Sequence, residues 1–296
     1  MIPIIDDAYV ENPETLAIAL SNPTNATVGI RPSALITITD NDTVNGTNPI
    51  DGTAFFVRQH YIDFLNREPD PGGFAFWTNE ITSCGTDAHC VEVKRLNVAA
   101  AFFLSIEFQE NANFVYRLYK GVRGRQPTYI EFTADRAKIP TVDGVRPDSG
   151  PLVFDFVGRP EFVNKYPFFP LSPGFIDILL QNVKDTSGVD LSSMRDALFR
   201  ELVLCADGGD VRICAMRIFQ RVVDSVAFRQ AVFRESFVWM EYASYLRRGP
   251  SDSPDSNFDG YNFWLAKLNQ FNGNYIEAEM VKAFINSTEY RQRFGP

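Results

Sequence analysis

The sequence predicts a two-part chain, a short β-structured segment followed by a mainly α-helical repeat body. Three observations carry this prediction. Apolar residues alternate with a period of two before residue 40, and the period lengthens to that of a helix after residue 53. Beyond that point one aromatic helix-and-turn pattern returns several times along the chain.

In the first part, Leu16, Ile18 and Leu20 alternate with polar or small residues, and so do Ala34, Ile36 and Ile38, with Thr37 and Thr39 opposite. This is the pattern of two half-buried antiparallel strands, joined by a loop rich in Pro, Asn and Gly. Residues 45–52 are turn formers and read as a linker.

The helical body then divides into regions 53–148, 149–232 and 233–296. Val57, Tyr61, Phe64 and Leu65 share one helix face, and the helix closes at Arg67-Glu68-Pro69-Asp70-Pro71-Gly72-Gly73. The same face returns as Val115, Tyr119 and Val122 before Arg125-Gln126-Pro127, and as Val238, Tyr242, Tyr245 and Leu246 before Arg248-Gly249-Pro250. A second helix follows, with Phe74, Phe76, Trp77 and Ile81 read as its apolar face and Tyr261, Phe263, Trp264 and Leu268 as the echo. Units end in a Ser-x-x-aromatic corner at Ser105–Phe108, Ser225–Phe228 and Ser287–Tyr290. A diverged unit lies between Arg159-Pro160-Glu161-Phe162 and Val189. Such self-similarity predicts stacked helical units sharing a core, with Trp77 and Trp264 as packing residues. The recurrent Arg67, Arg125 and Arg248 read as cations at helix ends, bonded to terminal carbonyls or to an acid of the next turn.

The four cysteines form two local pairs, Cys84 with Cys90 and Cys205 with Cys214, each around a polar stretch. Two small disulfide loops are the favoured reading, and they imply an oxidising, extracytoplasmic compartment. The alternative joins Cys84, His89 and Cys90 to the second pair around a metal, although neither spacing matches a zinc knuckle. With the chain starting abruptly in strand-like residues, an export signal is expected upstream.

Composition narrows the function. A net charge of −9 without a basic stripe disfavours nucleic acid as a partner, and no apolar run is long enough to span a membrane as a helix. Only His60 and His89 are present, too few for a multi-histidine centre, and no phosphate loop or nucleophile elbow occurs. A non-enzymatic protein is therefore expected. The segment Asp255-Ser256-Asn257-Phe258-Asp259-Gly260 opens like an EF-hand loop, so Asp255, Asn257 and Asp259 are candidate calcium ligands. Position twelve is Ala266 where the bidentate Glu belongs, and the competing reading is an Asx-rich turn capping the next helix. Asn25, Asn41, Asn45 and Asn286 stand in glycosylation contexts.

Two family resemblances add to this reading. The order Ile5-Asp6-Asp7, Glu11, Glu14-Thr15, Leu20-Ser21-Asn22-Pro23-Thr24 and Ile36-Thr37-Ile38-Thr39-Asp40-Asn41-Asp42 resembles the closing half of a Calx-beta domain. That resemblance implies a partial immunoglobulin-like β-sandwich over residues 1–44. It also implies calcium at strand-end acids, which match here as Asp6, Asp7, Glu11, Asp40 and Asp42; the alternative is that these are solvated turn acids. A half sandwich leaves strand edges unpaired, so either further sandwich strands lie upstream or a neighbouring subunit supplies them. The string FVRQHYIDFLNREPDPGGFAFW, with its echoes FVWMEYASYLRR and DGYNFW, resembles the bacterial domain of unknown function 4214 and, distantly, phycobilisome linker domains. It implies a helical fold in exported surface proteins and carries no catalytic residues across.

The expectation is thus a non-enzymatic extracellular or cell-surface structural or adhesive module, self-assembling by β-strand complementation. Its partners would be other copies of itself or neighbouring domains of a longer surface protein. The alternative is a calcium-dependent carbohydrate-binding module.

Overall fold

The computed structural model describes residues 13–21, 24, 25, 27, 29, 31–40, 46–142, 146–167, 172, 174–207 and 210–295. Strands β1 (Glu14–Ala19) and β2 (Ser33–Ile38) pair antiparallel, with Leu16 opposite Ile36 and Ala17 opposite Leu35. This is the predicted hairpin, but its strands are not half-buried. Ile18, Leu20, Leu35 and Ile36 are 40–69% exposed, and these four residues come from both faces. Among the described residues no second β-layer covers it, so the expected sandwich reduces to one two-stranded sheet.

Everything after residue 48 is mainly helical. The predicted linker folds into the body at its end, because Asn48 caps a short 3-10 turn at Pro49–Asp51 and places Ile50 in the core. The helices are α1 (Thr53–His60), α2 (Pro71–Thr82), α3 (Ala88–Leu104), α4 (Ile106–Leu118), α5 (Tyr129–Arg136), α6 (Gly150–Val157) and α7 (Pro160–Lys165). They continue as α8 (Gly174–Ser187), α9 (Arg195–Ala206), α10 (Val211–Val223), α11 (Val226–Glu241), α12 (Asp259–Gln270), α13 (Met280–Ile285) and α14 (Thr288–Gln292). A two-residue pair, Thr141–Val142 with Arg146–Pro147, interrupts them.

The predicted apolar face of the first helix in each pattern is buried, with Leu65 and Leu246 partly so. Val57, Phe64, Val115, Tyr119, Val122, Val238 and Tyr245 have no exposed surface, and Tyr61 and Tyr242 have almost none. Periodicity did not foresee how the three helices carrying them end. Each widens into a π-helical turn, at Tyr61–Leu65, Tyr119–Arg123 and Tyr242–Leu246, and closes on a left-handed residue, Asn66, Gly124 or Arg247. The corners behave as read, since Phe108, Phe228 and Tyr290 are wholly buried and Ser105 and Ser287 cap α4 and α14.

Trp77 and Trp264 pack against the core, near Phe102 and Phe284. Phe76 and Phe263, placed on the same apolar faces by the sequence, instead project outward and are more than half exposed. The cause is geometric. A residue two positions from Phe74 or Tyr261 lies about 200° around the helix and cannot share its face.

Both disulfides form in the predicted pairing, Cys84–Cys90 and Cys205–Cys214. Each ties the end of one helix to the start of the next, α2 to α3 and α9 to α10, and among the described residues no cysteine is free. The C-terminal helix closes against the start of the helical body. Arg291 reaches Asp51 at 2.7 and 2.9 Å, and Asn48 donates to the Arg291 carbonyl.

Candidate functional site

Of the eight residues expected to hold calcium, Asp6, Asp7, Glu11 and Asp42 lie outside the described residues. Asp40 is half-buried just after β2. In the Asp-rich loop, Asp255 accepts from Arg248 at 2.8 Å. Asn257 accepts from the Asp259 amide at 2.9 Å, and its own amide donates to the Asp259 carboxylate. These bonds make the Asx turn that leads into α12. Among the described residues no group of three or more His, Cys, Asp or Glu side chains is arranged to hold a metal ion.

The recurrent arginines do more than face a helix end. Arg67 forms two bonds with Glu107, at 2.9 and 3.0 Å, and Arg248 does the same with Glu289 at 2.5 and 3.0 Å. Arg125 takes Glu131 at 2.7 and 2.6 Å and also touches Glu161. Glu107, Glu161 and Glu289 occupy the same place in three corners, Ser-Ile-Glu-Phe, Arg-Pro-Glu-Phe and Ser-Thr-Glu-Tyr. Every one of these guanidinium groups also donates to the carbonyl of the following residue and lies 5.1–5.3 Å from the ring of the Tyr six residues earlier. Each arginine meets the expected acid of the next turn, Asp70 at 3.8 Å, Glu131 at 2.6 Å and Asp255 at 2.8 Å, and adds to it an acid from a distant corner. Planar guanidinium suits this combination of carboxylate fork and ring stacking, whereas ammonium does not.

The π turns leave carbonyls that need donors. In the first, Arg136 donates to the Asp63 carbonyl at 2.9 Å and also to that of Phe64. In the last, Arg293 donates to the equivalent carbonyls of Ser244 and Tyr245. In the middle turn Asn182 and Tyr166 serve the Gly121 and Val122 carbonyls.

These bonds converge on Asp63, whose side chain is 2% exposed. Its carboxylate accepts from Arg293 at 2.9 Å to each oxygen, from Arg247 at 3.0 Å, and from Gln59 at 2.8 Å. Burial works to raise the Asp63 carboxyl, but Arg293 and Arg247 outweigh it and hold the group below the usual carboxylate range. Arg136, fully enclosed, is pushed down to about 10 by the same burial, yet it remains charged at neutral pH. Beside Asp63 opens a pocket of about 260 Å³, lined by Ile62, Asp63 and Asn66 at the first π turn, Ala243, Ser244 and Arg247 at the last, and residues of α5.

Beneath it the core holds more polar groups. His60 is buried among Phe56, Phe64, Phe102 and Tyr245, with Nδ1 2.8 Å from the Phe56 carbonyl; burial lowers its pKa to about 4, so it is neutral. Glu241 is fully buried, and desolvation pushes its carboxyl well above the ordinary value. His89, in the first disulfide loop, is exposed. Elsewhere an apolar trough of about 470 Å³ runs between α3 and α13, bordered by Val93, Leu96, Leu104, Ile276 and Lys282.

Sequence reasoning did not single out Asp63, Arg136, Arg247 or Arg293. Asp63 carried one signal, an acid set between Tyr61 and Phe64 of a buried helix turn. The arginines carried none, since they come from helices 72 to 230 residues away.

Residues 42–112 match the family model described as Domain of unknown function (DUF4214), a stretch containing α1 to α3, the first π turn and the Arg67–Glu107 clamp. No Calx-beta model matches, and the phycobilisome-linker likeness is not found. No curated protein and no solved structure matches the chain.

Proposed function

We propose that this chain is a non-enzymatic extracytoplasmic structural module, a rigid helical body carrying a β-hairpin that completes itself by strand addition from another copy. The hairpin is the observation that supports this reading. It exposes Leu20, Ile18 and Ile36 on one face and Leu35 on the other, and two-stranded sheets of this kind are marginal in water on their own. An exposed apolar sheet whose edges pair with no other strand among the described residues is a template for further strands. The body, by contrast, is closed by the Asp51–Arg291 and Asp63–Arg293 pairs and tied by two disulfides, as suits an oxidising compartment. The three Arg–Glu–Tyr clamps support reading it as tandem units related to the matched domain.

Calcium enters as an aid to assembly through the N-terminal acids and the Asp255 loop. Light scattering on the full chain across concentration, in millimolar calcium and again with chelator, tests both parts. Mass above 33.4 kDa that grows with concentration supports the module, and collapse in chelator supports calcium. The double variant I18K/L35K should return the chain to monomer without loss of helicity. A monomer under every condition refutes strand addition.

A carbohydrate-binding reading draws on a recess of about 580 Å³ beside the Asp-rich loop, lined by Trp239, Tyr261 and the partly exposed Phe258. A glycan array blank in calcium removes it.

A further inference from the structure

The pocket beside Asp63 carries an inference independent of assembly. Its walls come from equivalent positions of two units. Ile62, Asp63 and Asn66 stand in the first π turn where Ala243, Ser244 and Arg247 stand in the last, so the two turns face each other across it. Helix α5 closes the space with Tyr129, Thr133 and Arg136.

The charge at this junction does not balance. Asp63 faces three guanidinium groups, those of Arg136, Arg247 and Arg293. The neighbouring acids are committed elsewhere, Glu107 to Arg67, Asp135 to Arg159 and Asp51 to Arg291. Burial disfavours the charged form of Glu241 and pushes its carboxyl well above the ordinary value. Among the described residues three positive charges meet one negative at this junction, with Arg247 45% exposed and so partly screened, inside a chain whose net charge is −9. Burying unpaired charge is unfavourable, and a counter-anion relieves it.

Unused hydrogen-bonding groups point the same way. Arg136 is more than nine-tenths buried and lines the pocket, yet among the described residues its Nε has no partner. The Ser244 hydroxyl, equally buried on the opposite wall, has none either. Arg247 spends Nε and Nη2 on Asp63, leaving Nη1 at the exposed rim. Unused guanidinium and hydroxyl donors on residues lining one pocket, beside an excess of positive charge, are the recognition chemistry of an oxyanion. The pocket, at about 260 Å³, lies just below the ~300–1,000 Å³ usual for drug-sized ligands, which suits a small one.

We infer that the junction of the first and last units is a binding site for a small oxyanion, a phosphate or carboxylate group, held by Arg136, Arg247 and Ser244. Occupancy would tie α5 to the last π turn, because Arg136 stands in α5 and bonds the carbonyls of the first π turn while Ser244 and Arg247 stand at the last.

Isothermal titration of the full chain with inorganic phosphate, and separately with succinate, at pH 7 and fixed chloride tests this. Saturable one-site binding of either probe is expected. R247Q should weaken it at least about tenfold, the loss of one charge-assisted donor. T133W fills the mouth from an exposed position, keeps every charge, and should abolish binding while leaving the unfolding midpoint unchanged. Binding of phosphate alone assigns a phosphoryl ligand, and binding of succinate alone a carboxylate. No saturable heat from either probe up to about 10 mM overturns the site. Undiminished binding in either variant overturns its placement in this pocket.

Discussion

Replacing Asp63 by Asn keeps the shape of the side chain and the bond from Gln59, and removes only the charge that Arg293 and Arg247 face. Arg293 and Asp63 have side chains 12% and 2% exposed, so this pair behaves as a buried one. Breaking a buried pair by removing one partner costs roughly 3–5 kcal/mol, since the other charge is stranded. Arg247 is 45% exposed and can turn to solvent, so its share is screened and the lower end, about 3 kcal/mol, is expected. At a urea slope near 3 kcal/mol/M, the top of the usual range, this moves the midpoint down by about 1 M. The same residue fixes a pH dependence. Its folded pKa lies below the unfolded value of about 3.9, so its contribution is fully present above that value and is lost as pH falls through the folded pKa. Urea midpoints at pH 7, 5 and 3 should therefore fall more steeply in acid for the wild-type chain than for D63N. A D63N loss below about 0.5 kcal/mol, within the range of ordinary surface changes, would refute the view that this carboxylate holds the first π turn to the C-terminal helices.

Further outcomes follow from the same geometry. A double-mutant cycle of R248M with E289Q should give a coupling of about 1–3 kcal/mol, while the exposed Arg58–Glu68 pair should give less than about 1 kcal/mol; equal couplings would remove the clamp from the account of stability. Replacing Cys84 and Cys90, or Cys205 and Cys214, by Ser in pairs should each cost about 2–3 kcal/mol, from loops closed over sequence separations of 6 and 9, read by denaturant unfolding with and without reductant. Phe64→Ala, at the centre of the aromatic core, should cost about 3–5 kcal/mol, whereas Phe263→Ala on the outward side of α12 should stay within about 0.5 kcal/mol; a large loss at Phe263 would mean that another surface covers it.

Local pattern alone determined much of this molecule. The spacing of Val57, Tyr61 and Phe64 and its two echoes defined buried helix faces, because a 3.6-residue period brings such residues to one side whatever the rest of the chain does. The two antiparallel strands followed from alternation, and short cysteine spacing left each thiol its near neighbour as partner. Strand burial was not determined in this way, since alternation describes a strand that has two faces and says nothing of whether a second layer exists. Arg67 and Arg248 were legible as helix-end cations, yet only the chain path brings Glu107 and Glu289 to them across 40 and 41 residues. The Asp63 junction belongs wholly to tertiary structure. Charge pairing depends on distance in space, and one acid of the first π turn meets Arg136 of α5 and Arg247 and Arg293 of the C-terminal helices only when these fold back onto it.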